Sequence, residues 1–388
     1  SDDLKRQIGQ HFVLGFHSYH LDDNVKALIR DYHVANIILM KRNIQGNILT
    51  AIWIASWPMT LFAKESGHQV PLLIGIDQEN GLVSAFSSPS TGTQFPGAMA
   101  LAACGDEAVC MTERVYQAAA QELRLAGIHW TYAPVADVNS DSKNPVIGVR
   151  SFGDDPYRVA TLTAAALRGL EAGGIAACAK HFPGHGDTAI DSHLALPEIT
   201  KSEEELKQTE LVPFKTLIAA GVPSVMTGHM ALPRLTGNDT PSSLSRAVTT
   251  GLLRQNLGFS GLVVTDCLEM NAVAMGWGIE EGAVRALQAD ADVVMICHTF
   301  ERQKEAIDNV YNAILRDRLD HDALLKSGTR IAAFKERYVG RWESLSFTHD
   351  STLKARWDEL KASNLTLSDD AYRRSITVVK DKHHLLPL

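Results

Sequence analysis

Most of the short apolar runs in this chain close on a polar residue followed by Gly, Pro or Asn, and stretches of helical periodicity separate them. The alternation predicts strands over 11–16, 35–40, 72–77, 129–137, 175–181, 224–229, 262–266 and 292–297, with helices that include 107–125, 156–172, 202–220, 246–256 and 279–289. Ser202 and Glu205 have capping-box spacing and mark one helix start, and Pro213 is expected to break that segment in two. Parallel strands need long crossover connections, and closing them into a ring removes every sheet edge. The expected fold is therefore α/β, a (β/α)8 TIM barrel, with a doubly wound open sheet as the alternative. In a barrel the carboxyl ends of the strands converge on one mouth. That mouth would gather Asp77, Asp137, Lys180, His181, His229 and Asp266 from remote parts of the chain.

With 388 residues, 45% of them hydrophobic, and no long polar tract, the chain has material for a large core, either one barrel or about two or three ordinary domains. A formal charge of -8 repels phosphate backbones and anionic lipid, so neither nucleic acid nor a membrane is an expected partner. No run approaches the ~20 apolar residues that span a bilayer. Cys104, Cys110, Cys178, Cys267 and Cys297 are odd in number and mostly lie in apolar segments, which suits reduced thiols better than a disulfide framework. The start at Ser1 has neither the basic nor the apolar region of a secretion signal, which favours a cytoplasmic location; it also lacks a Met, as a chain with a removed leader would. Past Arg341 the rhythm changes, and a polar stretch over 343–370 precedes Ser375-Ile-Thr-Val-Val-Lys380 and His384-Leu-Leu-Pro-Leu388. The expected division is a catalytic barrel over 1–341 and, over 342–388, a linker leading to a lone strand. One strand cannot satisfy its own backbone, so this segment looks like the start of a second α/β domain in a longer protein.

The densest chemistry is Lys180-His-Phe-Pro-Gly-His-Gly-Asp-Thr-Ala-Ile-Asp-Ser-His193, at a predicted strand end. Pro183, Gly184 and Gly186 exclude a stable helix, so this is a polar loop on a rigid scaffold, where catalytic groups usually sit. A solvated turn is the plainer reading, disfavoured because strand-end Lys and His must find partners once buried. His181 and His185 stand four apart, but without a helix that spacing does not bring both imidazoles to one face, and no nearby Glu completes a zinc-protease pattern. No metal is expected. Asp191-Ser-His193 has the residue types of a serine triad, yet one loop can hardly fold all three into relay geometry, and Ser192 lies on no nucleophile elbow. Gly261-Leu-Val-Val-Thr-Asp266 is an apolar strand ending in a carboxylate. An ion pair or a cap is the commoner use of such an Asp, and a nucleophile at the barrel mouth is the sharper one. The same alternatives apply to Asp77 in Ile74-Gly-Ile-Asp-Gln-Glu79, and Asp137 has weaker claims. Met270, Met275 and Trp277 read as packing, with Trp277 also suited to a sugar platform.

The Lys180 to His193 segment, together with Val263-Val-Thr-Asp266, resembles glycoside hydrolase family 3 in its β-N-acetylglucosaminidase (β-N-acetylhexosaminidase) branch. That branch carries Lys-His-Phe-Pro-Gly-His-Gly, four further residues, then Asp-Ser-His, and this chain follows the pattern without a gap. Asn144-Pro-Val-Ile-Gly-Val-Arg-Ser-Phe152 and Asp77-Gln-Glu79 also resemble family segments in the expected order, so the likeness covers roughly residues 8–340. It implies that Asp266 is the nucleophile, that His193, oriented by Asp191, is the general acid and base, and that Asp77, Arg150, Lys180 and His181 hold the terminal sugar. No cofactor is implied, the partner is a small carbohydrate, and a homodimer is compatible. Bacterial relatives commonly show Gly-Gly-Arg and a further Arg where this chain has Asn80-Gly-Leu82 and Ala85. The missing cations weigh against anionic, cell-wall-derived ligands and leave chitin-derived oligosaccharides as the preferred substrate. Family members often carry a second α/β domain that begins with a segment similar to 375–388.

The implied activity is retaining, exo-acting hydrolysis of terminal non-reducing β-linked N-acetylglucosamine through a covalent glycosyl-enzyme. Such cleavage needs a proton on the departing oxygen and a carboxylate under the developing oxocarbenium ion. Most such enzymes protonate with a second carboxylic acid, whereas an imidazole, with an ordinary pKa of about 6.5, suits the task near neutrality. A neutral ring also repels an anionic acceptor less than a carboxylate does, which makes phosphate an alternative to water in the second step. Two other readings stand beside this one. A β-glucosidase of the same family would lack the Asp-Ser-His loop, and a non-catalytic sugar-binding barrel would not need Asp266 and His193 intact.

Overall fold

The computed structural model describes residues 2–44, 57–87, 91–188, 190–345 and 351–382. Eight parallel strands, β1 (Phe12–Leu14), β2 (Asn36–Leu39), β3 (Leu73–Ile76), β4 (Trp130–Thr131), β5 (Cys178–Phe182), β6 (Ser224–Thr227), β7 (Leu262–Cys267) and β8 (Val293–Ile296), stand in the order β4-β3-β2-β1-β8-β7-β6-β5. Bridges between Trp130 and Ala176 and between Val135 and Lys180 join the two ends and close the barrel. The fold is the (β/α)8 barrel, and every expected strand is present, most of them shorter than expected, while β5 and β7 each run one residue further, to Phe182 and Cys267. β4 is trimmed most, because Pro134 has no N–H to give to a ladder. Its continuation is tied to β5 through single bonds, from Cys178 N to Ala133 O (2.8 Å) and from Ala136 N to Lys180 O (2.6 Å).

Strand alternation sorts the core into two layers. Val13, Ile38, Leu73, Trp130, Cys178, Met226, Val264 and Met295 fill the barrel interior. Their neighbours Leu14, Ile37, Ile74, Ala179, Val225, Val263 and Val294 face the surrounding helices. The helices Ala108–Leu125 and Pro156–Ala172 pack so closely that a Cβ on Gly169 would lie 2.3 Å from the Glu113 carbonyl oxygen, so only glycine fits there. Asp155 caps the second of them by accepting from Arg158 N at 2.7 Å, with Pro156 in the first turn.

The capping box forms as expected: Ser202 Oγ accepts from Glu205 N (3.3 Å) and Glu205 Oε2 accepts from Ser202 N (2.7 Å). The break expected at Pro213 falls earlier, between the helices Glu203–Gln208 and Leu211–Ala219. Pro213 sits in the first turn of the second helix, where its missing N–H has no intrahelical partner to lose.

Within the stretch read as a linker lies the helix Ser351–Arg374, docked on the barrel's outer layer. Its buried positions, Trp357, Asn364, Ser368 and Ala371, make a stripe too narrow to register as hydrophobic periodicity. Trp357 meets Phe86 edge to face at 6.1 Å, and Asn364 Nδ2 donates to Glu122 Oε1 at 2.9 Å. Over 376–380 no strand forms within this chain, where the closed barrel offers no edge to pair with, and Ile376, Val378 and Val379 are exposed. The terminal His384 to Leu388 lies outside the described residues. All five cysteines are free thiols, four of them buried. Among the described residues no helix is long and apolar enough to cross a membrane.

Candidate active site

The carboxyl end of β3 runs on through Asp77 into a hairpin, Gln78–Asn80 paired with Val83–Ser84. Asn80 (φ 70°) and Gly81 (φ 64°) make the left-handed turn that an Asn-Gly pair favours. Alternation then turns neighbouring side chains to opposite sides: Gln78 Oε1 accepts from Phe86 N at 2.8 Å, while Glu79 enters a buried cluster of charges. Lys180 Nζ lies 2.7 Å from Asp77 Oδ1 and 2.7 Å from Glu79 Oε1. Arg150 grips Glu79 with two parallel bonds, Nε to Oε2 at 2.8 Å and Nη2 to Oε1 at 2.7 Å. Burial alone would raise the Glu79 carboxyl, but the charges of Lys180 and Arg150 outweigh it and hold the pKa at about 2. For Lys180, burial works downward, and Asp77 and Glu79 push it well above the ordinary lysine range.

Arg150 Nη2 also lies 3.4 Å from His181 Nε2. The other ring nitrogen, Nδ1, donates to Asp137 Oδ2 at 2.7 Å, while Asp137 Oδ1 accepts the backbone N–H of His181 (3.1 Å) and of His185 (2.7 Å). Asp137 is fully buried and is held below the ordinary carboxylate range; burial opposes this, and the His181 ring outweighs it. Four of the expected residues, Asp77, Arg150, Lys180 and His181, thus meet in one network. Glu79 joins them, although nothing in the sequence reading gave it a role. The signal for it was the Asn-Gly turn, which makes 78–84 a hairpin and places Glu79 beside the strand ends.

Asp266, on β7, accepts one hydrogen bond among the described residues, from Cys267 N at 2.7 Å. Burial raises its pKa, and the nearby rings of His181 and His229, the Cys267 N–H and Lys180 together bring it below the ordinary value. The carboxyl is therefore ionised at neutral pH. His229, buried at the end of β6, donates from Nε2 to the Cys267 carbonyl (2.9 Å) and meets Ser243 Oγ at Nδ1 (2.7 Å).

The 183–193 loop carries the remaining expected residues. His193 Nδ1 donates to Asp191 Oδ1 at 2.7 Å, and the same oxygen accepts His193 N at 2.9 Å, which fixes the ring tautomer and leaves Nε2 unprotonated in the neutral form. His193 is exposed. The loop is pinned at Ser192: its carbonyl accepts from Ala272 N (3.3 Å), in the segment that follows Asp266, and its hydroxyl donates to His185 Nε2 (2.8 Å). His185 Nδ1 in turn donates to Thr188 Oγ1 (2.8 Å), whose own proton goes to the His185 carbonyl (3.0 Å). Burial, helped by His181, lowers the His185 pKa to about 4 and keeps the ring neutral in this arrangement. Ser192 therefore orients the loop, and both nitrogens of His185 are taken up by hydroxyl groups.

The three packing expectations divide. Met270 is buried and Trp277 packs under the Arg285 guanidinium, 4.6 Å from its ring. Met275 is 79% exposed, because it caps the short helix Asn271–Ala274 on its outer side.

A closed α/β barrel with a buried charge network and a sparsely bonded carboxylate at its carboxyl-end mouth has its site where barrel enzymes carry theirs. The family model "Glycosyl hydrolase family 3 N terminal domain" matches residues 4–334, and the chain belongs to that family. "Beta-hexosaminidase A" of Pseudoalteromonas piscicida is 31% identical over 352 residues, covering 85% of this chain and 58% of that protein. The Paenibacillus sp. str. FPU-7 structure of a family 3 β-N-acetylglucosaminidase superposes with a TM-score of 0.89 at 39% identity, covering 98% of this chain and 70% of that one. A fungal multi-domain family 3 β-N-acetylglucosaminidase superposes with a TM-score of 0.92, also at 39% identity, covering 99% of this chain but 44% of the fungal one. This chain thus spans less than two thirds of the length of two of these relatives.

Proposed function

We propose that the chain is the catalytic barrel of a retaining exo-β-N-acetylglucosaminidase that releases terminal β-linked N-acetylglucosamine from chitin-derived oligosaccharides. In this reading Asp266 attacks the anomeric carbon and forms a glycosyl-enzyme. His193 Nε2 protonates the departing oxygen and then takes a proton from the incoming water, while Asp191 fixes the ring and stabilises its charged form. The observation that carries the reading is that the loop bearing the Asp191–His193 dyad is bonded at Ser192 to the segment following the strand that carries the ionised, sparsely bonded Asp266. A carboxylate with free lone pairs can bond carbon, and an oriented imidazole with a free Nε2 can move a proton.

Asp77, Lys180, Arg150 and His181 would receive the sugar. Their alternating acceptors and donors match hydroxyl groups, and the Glu79 clamp holds them in place before substrate arrives. The choice of chitin-derived substrate rests on the exposed hairpin residue Leu82, which stands where a cation would favour anionic ligands. The test is a comparison of nitrophenyl N-acetylglucosaminide with nitrophenyl glucoside. Preference for the first supports the reading; faster turnover of the second moves the chain to the β-glucosidases, and turnover of neither leaves a sugar-binding barrel.

A further inference from the structure

Outside the residues just described, a second set of reactive side chains lies where β7 and β8 end. The Cys267 thiol, the Glu269 carboxylate and the His298 imidazole each offer one ligand atom, and the three atoms lie within 4.8 Å of one another. Cys267 is the last residue of β7 and pairs in register with Met295 of β8, and His298 follows that strand's end, so the neighbouring strands bring the two together. Glu269 bridges them. Its Oε2 accepts His298 N (2.6 Å), its Oε1 accepts Thr299 N (2.9 Å), and the Cys267 thiol donates to Oε2 at 3.8 Å.

We infer that Cys267, Glu269 and His298 form a binding site for a borderline-soft divalent cation of the zinc type. A thiol beside an imidazole selects zinc-like ions over calcium or magnesium, which prefer all-oxygen sites. Tetrahedral zinc holds sulfur at about 2.3 Å and nitrogen or oxygen at about 2.0–2.2 Å, which small rotamer changes reach from the observed spacing. The two backbone N–H bonds orient the carboxylate and leave each oxygen a second lone pair, the arrangement that outer-shell partners provide in metal sites. On binding, the cation takes the place of the Cys267 thiol proton, which is released to solvent. The fourth position falls to water. Glu269 and His298 are partly exposed, so a cation has a way in. The cation would sit one residue from Asp266, whose carboxylate receives the Cys267 N–H, and would draw negative charge away from it. This last consequence, lowered turnover, rests on the function proposed above; binding does not.

The test uses the whole chain, stripped with a chelator and kept reduced by a thiol-free reductant. Zinc is titrated by calorimetry, and cobalt(II) by absorption, which shows a near-ultraviolet thiolate-to-metal band only when sulfur is a ligand. One zinc per chain and that cobalt band are expected, with affinity at least about tenfold weaker in Cys267→Ser and in His298→Ala. Absence of stoichiometric zinc binding, absence of the band, or equal affinity in both variants would overturn the site. The band is read on the unmodified chain, so a variant that folds poorly does not leave the question open. Zinc at saturation should lower turnover of nitrophenyl N-acetylglucosaminide in the unmodified chain and not in His298→Ala. Unchanged turnover in the zinc-saturated chain would remove the restraint on Asp266. A chain inactive with and without metal would count against the proposed function while the binding result stands.

Discussion

Two carboxylates, the fully buried Asp292 at the amino end of the barrel and the partly buried Asp266 at the carboxyl end, stand at neighbouring strands and have opposite surroundings. Asp292 is saturated: Oδ1 accepts from Ser327 Oγ (2.6 Å) and Arg330 Nε (2.7 Å), and Oδ2 from Arg254 Nη2 (2.7 Å) and Val263 N (2.8 Å). Even its carbonyl accepts from His11 Nδ1 at 2.8 Å. Asp266 accepts only Cys267 N among the described residues, with rings and an ammonium group near enough to keep it charged. A saturated carboxylate is a brace, because no lone pair is left for another molecule. A carboxylate kept ionised by charges that do not occupy its oxygens can react. The amino end of a barrel faces short αβ connections that pack, whereas the carboxyl end faces the longer loops that shape a site.

The contrast can be broken in four ways. Asp266→Ala should abolish turnover with an unchanged circular dichroism spectrum and melting temperature, and residual activity near the parent level would end its assignment as nucleophile. His193→Ala should lose about 10²–10⁴-fold in kcat/KM on chitobiose-like substrates, whose leaving groups need a proton, and much less on activated aryl glycosides. Equal losses on both would contradict the acid role. Asp292→Ala should do the reverse, lowering unfolding free energy by about 3–5 kcal/mol in urea titrations through the buried donors of Ser327, Val263, Arg254 and Arg330 that lose their acceptor, although both arginines keep Asp290, with kcat per folded molecule unaltered.

The smallest effect concerns Glu79, which belongs to the mouth yet is braced like Asp292. Its pKa in the fold, about 2, is below the ordinary 4.5, so the stability it contributes is complete above that ordinary value and is lost as pH falls through about 2. Urea titrations between those limits should show a steeper loss of stability in the parent than in Glu79→Gln, which has no carboxyl to titrate there. Parallel slopes would mean that Lys180 and Arg150 do not hold the carboxyl as the geometry indicates.

Much of this molecule was legible before any coordinates. Short apolar runs ending in polar residues are what fully buried parallel strands must look like, so the eight strands and the barrel followed from the pattern. The Lys180 to His193 loop and the Asp266 strand end were visible because titratable groups rarely gather at apolar boundaries without a purpose. The Ser351–Arg374 helix was hidden, since a buried stripe of Trp357, Asn364, Ser368 and Ala371 leaves a polar-looking face. Glu79 and His185 were hidden for a different reason. Their roles lie in partners that only the fold brings up: Glu79 in Lys180 and Arg150, far along the chain, and His185 in the distant Asp137 carboxylate and in a Ser192 hydroxyl that the loop's own folding returns to it.

By itself the sequence determined which residue types are present and which local geometry each run prefers, because propensity, patterning and turn chemistry act over a few neighbours. Only the tertiary structure decided which carboxylate is bonded to exhaustion and which keeps free lone pairs. That depends on donors arriving from other strands, and closure of the barrel is what brings them there.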